Sequence, residues 1–426
     1  MSQVRFIVAH MFDESDACAE EAALVDRIAE LERAKSANAA EQAKLTVQFD
    51  RARRARQAAG GVPASRRGKG MGSEIGLARQ ESPHTGTRLL SFARILITDM
   101  PHTLAALEAG VLSERRAMTI VAEAAHLSAA DRAVLDTEMC ARQEALTGKG
   151  DKRIGRDAKA IAARLDPQGA ADRAHRAEAD RTVTLRPAPN AMSYLSVLLP
   201  MRHGVCAYRA LDTVANSTCD GRTRGQVMAD TVVERLTGRP AEAPTPVAVS
   251  VVITDDSLLA GGSTPARIPG QGPIPAGIAR RMIAAAVFDE RSHATLRRLY
   301  RHPTSGALVA MESRSRLFPK GLASFIDLRD DTCRTPYCDA PIRHHDHAHP
   351  NARGGPTSAL NGLGECEACN YAKQAPGWQV STTTTETGTH TARFSTPTGA
   401  VHHSHAPPPP GPPPLIIDRY WPREAA

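Results

Sequence analysis

The chain has 426 residues, with 53 Lys and Arg against 46 Asp and Glu, for a formal net charge of +7. That excess suits a polyanionic partner without specifying one. No stretch approaches the roughly 20 apolar residues of a membrane span, and MSQVRFIVAHMFDESD lacks the basic, apolar and small-residue order of a signal peptide, so a cytoplasmic protein with no membrane partner is expected. Hydrophobic residues make up 42% and aromatics only 4%, which favours helices packed through small side chains. The length admits two or three domains.

In chain order, Leu24, Ile28 and Leu31 at helical spacing, continued by Leu45 and Phe49, predict an amphipathic packing helix or helical hairpin over 20–58. A basic segment follows, carrying Arg51, Arg53, Arg54, Arg56, Arg66, Arg67 and Lys69 with no acidic residue between Asp50 and Glu74. A flexible arm on phosphates and a solvated loop both fit it. Residues 86–146 read as further helices, with Ser113 and Ser128 as N-caps, and KRIGRDAKAIAARL as a basic helical piece. TVTLRP and MSYLSVLLP, flanking Ala188-Pro189-Asn190, predict a hairpin. Two helices are expected within 201–238. The β-branched run PVAVSVVITD is the strongest strand signal. A helix over 273–287, short strand-like pieces over 294–313 and a helix running up to Cys333 complete this part. After Trp378, a hairpin is expected to precede an unstructured tail in which His402, His403 and His405 have no more than an adventitious affinity for metal.

The chemistry is concentrated in residues 333–373, CRTPYCDAPIRHHDHAHPNARGGPTSALNGLGECEACNYAK. Of eight cysteines, Cys18, Cys140, Cys206 and Cys219 are scattered, while Cys333 and Cys338 form one close pair and Cys366 and Cys369 another. In a reducing compartment such pairs read as ligands of one structural Zn2+. Between them lie Asp346 and His347. Neighbours on a strand face opposite ways, so one can ligate a metal while the other, a neutral imidazole, takes a proton from water. Asn370 opens the helix after the second pair and can place its amide oxygen on the same cation. Asn361 ends the loop NARGGPTSAL and is placed to pin it by side-chain bonds to backbone.

These residues, with Gly354-Gly355 and the CEAC pair, resemble the HNH endonucleases of the ββα-metal type, in the subgroup with paired cysteines. The resemblance covers about a tenth of the chain. It implies that His347 is the general base, that Asp346 and Asn370 hold a catalytic Mg2+ (or Mn2+ or Ni2+), and that Asn361 supports the loop bearing the histidine. It also implies that Lys373, at a commonly basic position, lies near the phosphate; Arg353 is a second expected DNA contact. Two positions depart from the family: Ala348 replaces a branched apolar residue, and Glu365 stands where leucine is common. Residues 100–330 resemble the long helical domain of uncharacterised function that precedes such a module in high-GC bacteria.

The expected architecture is α+β. It comprises a helical segment with a basic linker (1–85), a mostly helical domain (86–325), a small zinc-bound nuclease domain (326–380) and a hairpin-like, Pro/His-rich tail (381–426). The expected activity is metal-dependent hydrolysis of DNA phosphodiesters, with double-stranded DNA as partner. A single site cuts one strand, so a double-strand break calls for a homodimer or a second event. The alternative is a non-catalytic zinc-containing DNA-binding or regulatory protein with a vestigial nuclease fold.

Overall fold

A computed structural model of the chain describes residues 2–241, 251–288, 316–385 and 388–411. It divides into two compact units, Met1–Arg173 and Ala174–Ala426. A mainly helical N-terminal region precedes a strand-containing C-terminal part, as expected. No helix among the described residues is long and apolar enough to cross a membrane.

The first unit is built from α1 (Ser2–Ala59), α2 (Met71–Ala78), α3 (Pro83–Asp99), α4 (Pro101–Glu108), α5 (Glu114–Ala124), α6 (Ala129–Cys140) and α7 (Asp151–Leu165), with α8 (Pro167–Ala177) at its end. Ser113 and Ser128 cap α5 and α6 as their positions predict, accepting from the backbone N–H groups of Arg116 and Asp131. The face that α1 buries differs from the expected one. Leu24, Ile28, Leu31 and Leu45 are more than half exposed, whereas Ala40, Ala43 and Val47 enter the core with Phe92, Leu96, Leu107 and Ile120. Small residues let α1 approach α3 and α4 closely, so contact follows side-chain size rather than the leucine stripe. α2 and α3 pack closely together; a Cβ on Gly86 would lie 2.1 Å from the Gly72 carbonyl oxygen. The basic segment, read as a flexible arm or a solvated loop, is folded, with Arg51, Arg56, Arg66 and Lys69 exposed. Arg53 is buried and donates to Glu74 at 3.0 Å, Arg54 pairs with Asp50, and Arg67 donates to the Val62 carbonyl.

The second unit opens with the predicted hairpin, β1 (Thr182–Ala188) and β2 (Met192–Leu198), in which Asn190 and Ala191 both take positive φ as a tight hairpin turn requires. Helices α9 (Met201–Ser217) and α10 (Arg224–Thr237) pack on each other. Next come α11 (Asp255–Leu259), β3 (Ala266–Ile268), β4 (Gly272–Ile274) and α12 (Ala276–Phe288). Of the strand predicted over 246–255, residues up to 250 lie outside the described residues; Val252 makes an antiparallel bridge to Arg267. The strand-like pieces expected over 294–313 also lie outside them.

The C-terminal elements are α13 (Lys320–Asp330), β5 (His344–His347), β6 (Gly362–Glu365), α14 (Glu367–Lys373), β7 (Gln379–Thr384), β8 (His390–Ser395) and β9 (Val401–His405). The helix expected to reach Cys333 stops at Asp330, because Asp331 takes φ 65°. β5 and β6 pair antiparallel, with His344 opposite Glu365 and His347 opposite Gly362. β7, β8 and β9 form a three-stranded antiparallel sheet, so His402, His403 and His405 lie on a strand rather than in an unstructured tail. That sheet belongs to the same core: Phe394 and Ala392 of β8 pack with Leu363 and Ala348, so apolar bulk lies beside the small residue at 348.

Candidate functional site

The two cysteine pairs converge as their spacing predicts. One sulfur from each of Cys333, Cys338, Cys366 and Cys369 lies within 4.8 Å of every other, and Cys338 and Cys366 are 3.9 Å apart. Tetrahedral thiolates at the usual Zn–S length stand about 3.8 Å from one another, so the four sulfurs fit a metal ion such as zinc. Three of the four are buried. The cluster ties the segment after α13 to the start of α14.

A charged network braces this segment. Asp330, fully buried, accepts from Arg329, Arg334 and the Gly364 backbone N–H. Burial opposes its charge, but the two guanidinium groups outweigh that and hold its carboxyl below the usual range. Arg334 continues to the Ser404 and His390 carbonyls, joining the cysteine segment to the terminal sheet. His390 Nε2 lies 2.8 Å from the Leu360 carbonyl, which it meets as a donor.

His347, at the end of β5, is 6% exposed. Its ring lies 4.7 Å from the Phe318 ring, and its Nε2 is 2.9 Å from Thr357 Oγ1. Thr357 Oγ1, itself 3.5 Å from the Arg316 carbonyl, is placed to accept from Nε2–H, the tautomer that puts the lone pair of His347 on Nδ1. Burial pushes this imidazole below its ordinary value despite the nearby Asp346 carboxylate, which keeps it neutral at pH 7. Asp346 and His347 do not point fully apart: the strand ends there, and Asp346 Oδ1 comes within 3.7 Å of His347 Nδ1.

Asn361 holds the intervening loop as expected. Its Oδ1 accepts from the His349 backbone N–H at 2.8 Å, and its Nδ2 donates to the His349 and Pro356 carbonyls at 3.0 and 2.9 Å. Gly355 is required here, since a Cβ would stand 1.8 Å from the His349 oxygen.

On the other side of β5, α14 presents Asn370 and Lys373. Asn370 Nδ2 lies 2.9 Å from His344 Nδ1, while Asn370 Oδ1 is buried and has no hydrogen-bond partner among the described residues. Lys373 departs from its expected place at the phosphate. Its side chain is 6% exposed and donates to Asp346 Oδ2 at 2.9 Å and to Glu365. The reason is Glu365, which is wholly buried and draws in the ammonium as its counter-charge. Burial pushes the Glu365 carboxyl up; it acts to lower Lys373, but the two carboxylates outweigh it and hold Lys373 above its ordinary value. Burial also pushes Asp346 up, and Lys373 more than offsets that, leaving its carboxyl below the usual range. Arg353 is exposed, as a surface contact requires.

Sequence reasoning missed the orienting role of Thr357, the engagement of His344 with Asn370, and the pairing of His345, whose Nε2 lies 2.7 Å from Asp327. The Thr in GGPT and the first two histidines of HHDH were the available signals.

A family model described as a domain of unknown function, DUF222, matches residues 25–330, well over half of the chain. The chain belongs to the DUF222 family. The match spans parts of both compact units and ends at Asp330, before Cys333. The four cysteines, Asp346, His347, Asn361 and Asn370 therefore follow the DUF222 segment, while Phe318, Asp327, Arg329 and Asp330, which pack against that later part, belong to it. No curated protein and no solved structure matches the chain.

Proposed function

We propose that the segment after the DUF222 domain is an HNH-type endonuclease that hydrolyses DNA phosphodiester bonds with the help of a divalent cation. In high-GC bacteria this family is usually paired with an HNH domain, which supports the reading. The observation that carries it is the buried Asn370 Oδ1 without a partner, on the helix that also reaches Asp346. A buried amide oxygen left unbonded is costly, and a hard cation is the partner it suits.

Asp346 and Asn370 would hold Mg2+ or Mn2+, which when bound supplies Lewis-acid stabilisation of the charge developing on the phosphodiester. His347 does the proton chemistry: Thr357 fixes its tautomer, and neutral Nδ1 takes the proton of the attacking water. Asn361 holds the loop that follows His347, so the imidazole does not drift. Arg353 meets a neighbouring phosphate. The four cysteines, with Zn2+ as the fitting ion, act as scaffold and take no part in the reaction.

The ammonium of Lys373 on Asp346 favours a second reading, a DNA-binding module that does not cut. Supercoiled plasmid incubated with the purified chain and Mg2+ or Mn2+ separates the two. Nicked circles that vanish with EDTA are expected. Failure to cleave any DNA or RNA with any divalent cation would overturn the nuclease reading.

A further inference from the structure

Helix α7 and the turn before it carry two kinds of cation. Lys149 and Arg153 share Asp157, at 3.0 and 2.9 Å, and Arg164 pairs with Glu138. Lys152, Arg156 and Lys159 are exposed and have no ion-pair partner among the described residues. Their spacing of four and three residues places them within about 60° of one another around the helix, on a single stripe. Asp151 and Asp157 lie off that stripe: Asp151 is taken by Arg115 and Arg116, and Asp157 by the pair above.

The stripe lines a groove. Lys152, Gly155, Arg156 and Lys159 on α7 and Glu123 on α5 enclose a shallow cavity of about 490 Å³. Gly155 allows the two helices to approach, since a Cβ there would meet Thr119 at 3.3 Å. Three cations against one carboxylate leave the groove net positive. No salt bridge among the described residues offsets this local excess.

We propose that this groove in the N-terminal unit binds the phosphate backbone of DNA. From Lys152 to Lys159 is about 10 Å along the helix axis. One strand of duplex presents a phosphate about every 3.4 Å of axis, so the stripe faces about three phosphates. Contacts of this type fix register and add affinity without reading sequence. The DUF222 segment thereby grips the substrate that the C-terminal site cuts. The choice of DNA over another polyanion rests on the nuclease reading.

The test is binding, measured apart from cleavage. Fluorescence anisotropy of a labelled duplex of about 25 base pairs would be followed over a range of KCl, without Mg2+, using the His347→Ala chain. Combining Lys152→Ala, Arg156→Ala and Lys159→Ala should reduce the slope of log K against log salt by between about 2 and 3. Affinity at 0.1 M salt should fall on the order of 100-fold. The paired cations serve as control: Lys149→Ala with Arg153→Ala should leave the slope unchanged. All these residues but Lys149, which precedes α7 and is half-buried, sit exposed on one helix, and circular dichroism checks that each variant is folded.

An unchanged slope in the triple variant overturns the proposal, as does an equal loss in the control or the absence of DNA binding. Loss of tripolyphosphate binding with DNA binding intact would assign the groove to a small anion and also overturn it. Plasmid nicking by the wild type alongside an unaltered triple-variant slope removes this proposal and spares the nuclease reading. The predicted slope change with no cleavage does the reverse.

Discussion

Lys373 Nζ lies 2.9 Å from Asp346 Oδ2, so the carboxylate assigned to the cation already holds an ammonium. Glu365 shares that ammonium and draws it partly off Asp346. Glu365→Leu should leave Lys373 wholly to Asp346 and weaken Mn2+ binding about tenfold, a loss of roughly 1.4 kcal/mol. Adding Lys373→Met should restore it. Mn2+ titration followed by electron paramagnetic resonance measures both. A double variant as weak as Glu365→Leu alone would mean that Glu365 acts on the ion directly.

Asn361 closes on the His349 backbone from both sides and on Pro356. Asn361→Ala removes three part-buried bonds, which should cost about 2–3 kcal/mol in urea unfolding. Cleavage should fall with it, while Mn2+ affinity changes less than threefold because the ligands lie elsewhere. A tenfold loss of Mn2+ affinity would show that the loop shapes the cation site as well.

Burial, reinforced by the charge of Arg329, pushes His390 down to about 4. The unfolded chain, with an ordinary histidine near 6.5, binds the extra proton between those values. Stability from this residue is therefore complete above about pH 6.5 and drains as pH falls toward 4. Between pH 7 and pH 5 the loss should be about 2 kcal/mol. Urea unfolding at the two values checks it, with His390→Gln predicted to be flatter by that amount. Equal pH dependence in both proteins would place the titration elsewhere.

The four sulfurs predict one tightly held Zn2+ per chain, measurable by atomic emission after purification. Cys366→Ser or a strong chelator should release it and loosen the C-terminal elements, because the cluster ties α14 to the segment after α13. Limited proteolysis reads this as new cleavage between residues 331 and 375. An intact protease pattern in the metal-free chain would make the cluster dispensable to the fold.

Local rules carried most of what the sequence revealed. Ser113 and Ser128 cap helices because a hydroxyl at that position meets an orphan N–H, and the hairpin at 182–198 follows from β-rich runs around a turn. Cysteine spacing sufficed for the four-sulfur cluster. What escaped depends on partners distant in sequence. The leucines at 24, 28, 31 and 45 read as a core face, but the alanines of α1 permit closer packing. Lys373 reads as a surface cation until Glu365 is found buried eight residues earlier. Nothing near His402–His405 signals that Arg334, seventy residues upstream, anchors that strand at the Ser404 carbonyl.

The central claim, that His347 is the base of a phosphodiester hydrolysis, is tested most directly by comparing wild type and His347→Ala on supercoiled plasmid. Both would be folded, zinc-loaded and supplied with Mn2+. The wild type should convert plasmid to nicked circles, and the variant should do so at least 100-fold more slowly. Equal nicking by the two proteins would contradict the assignment.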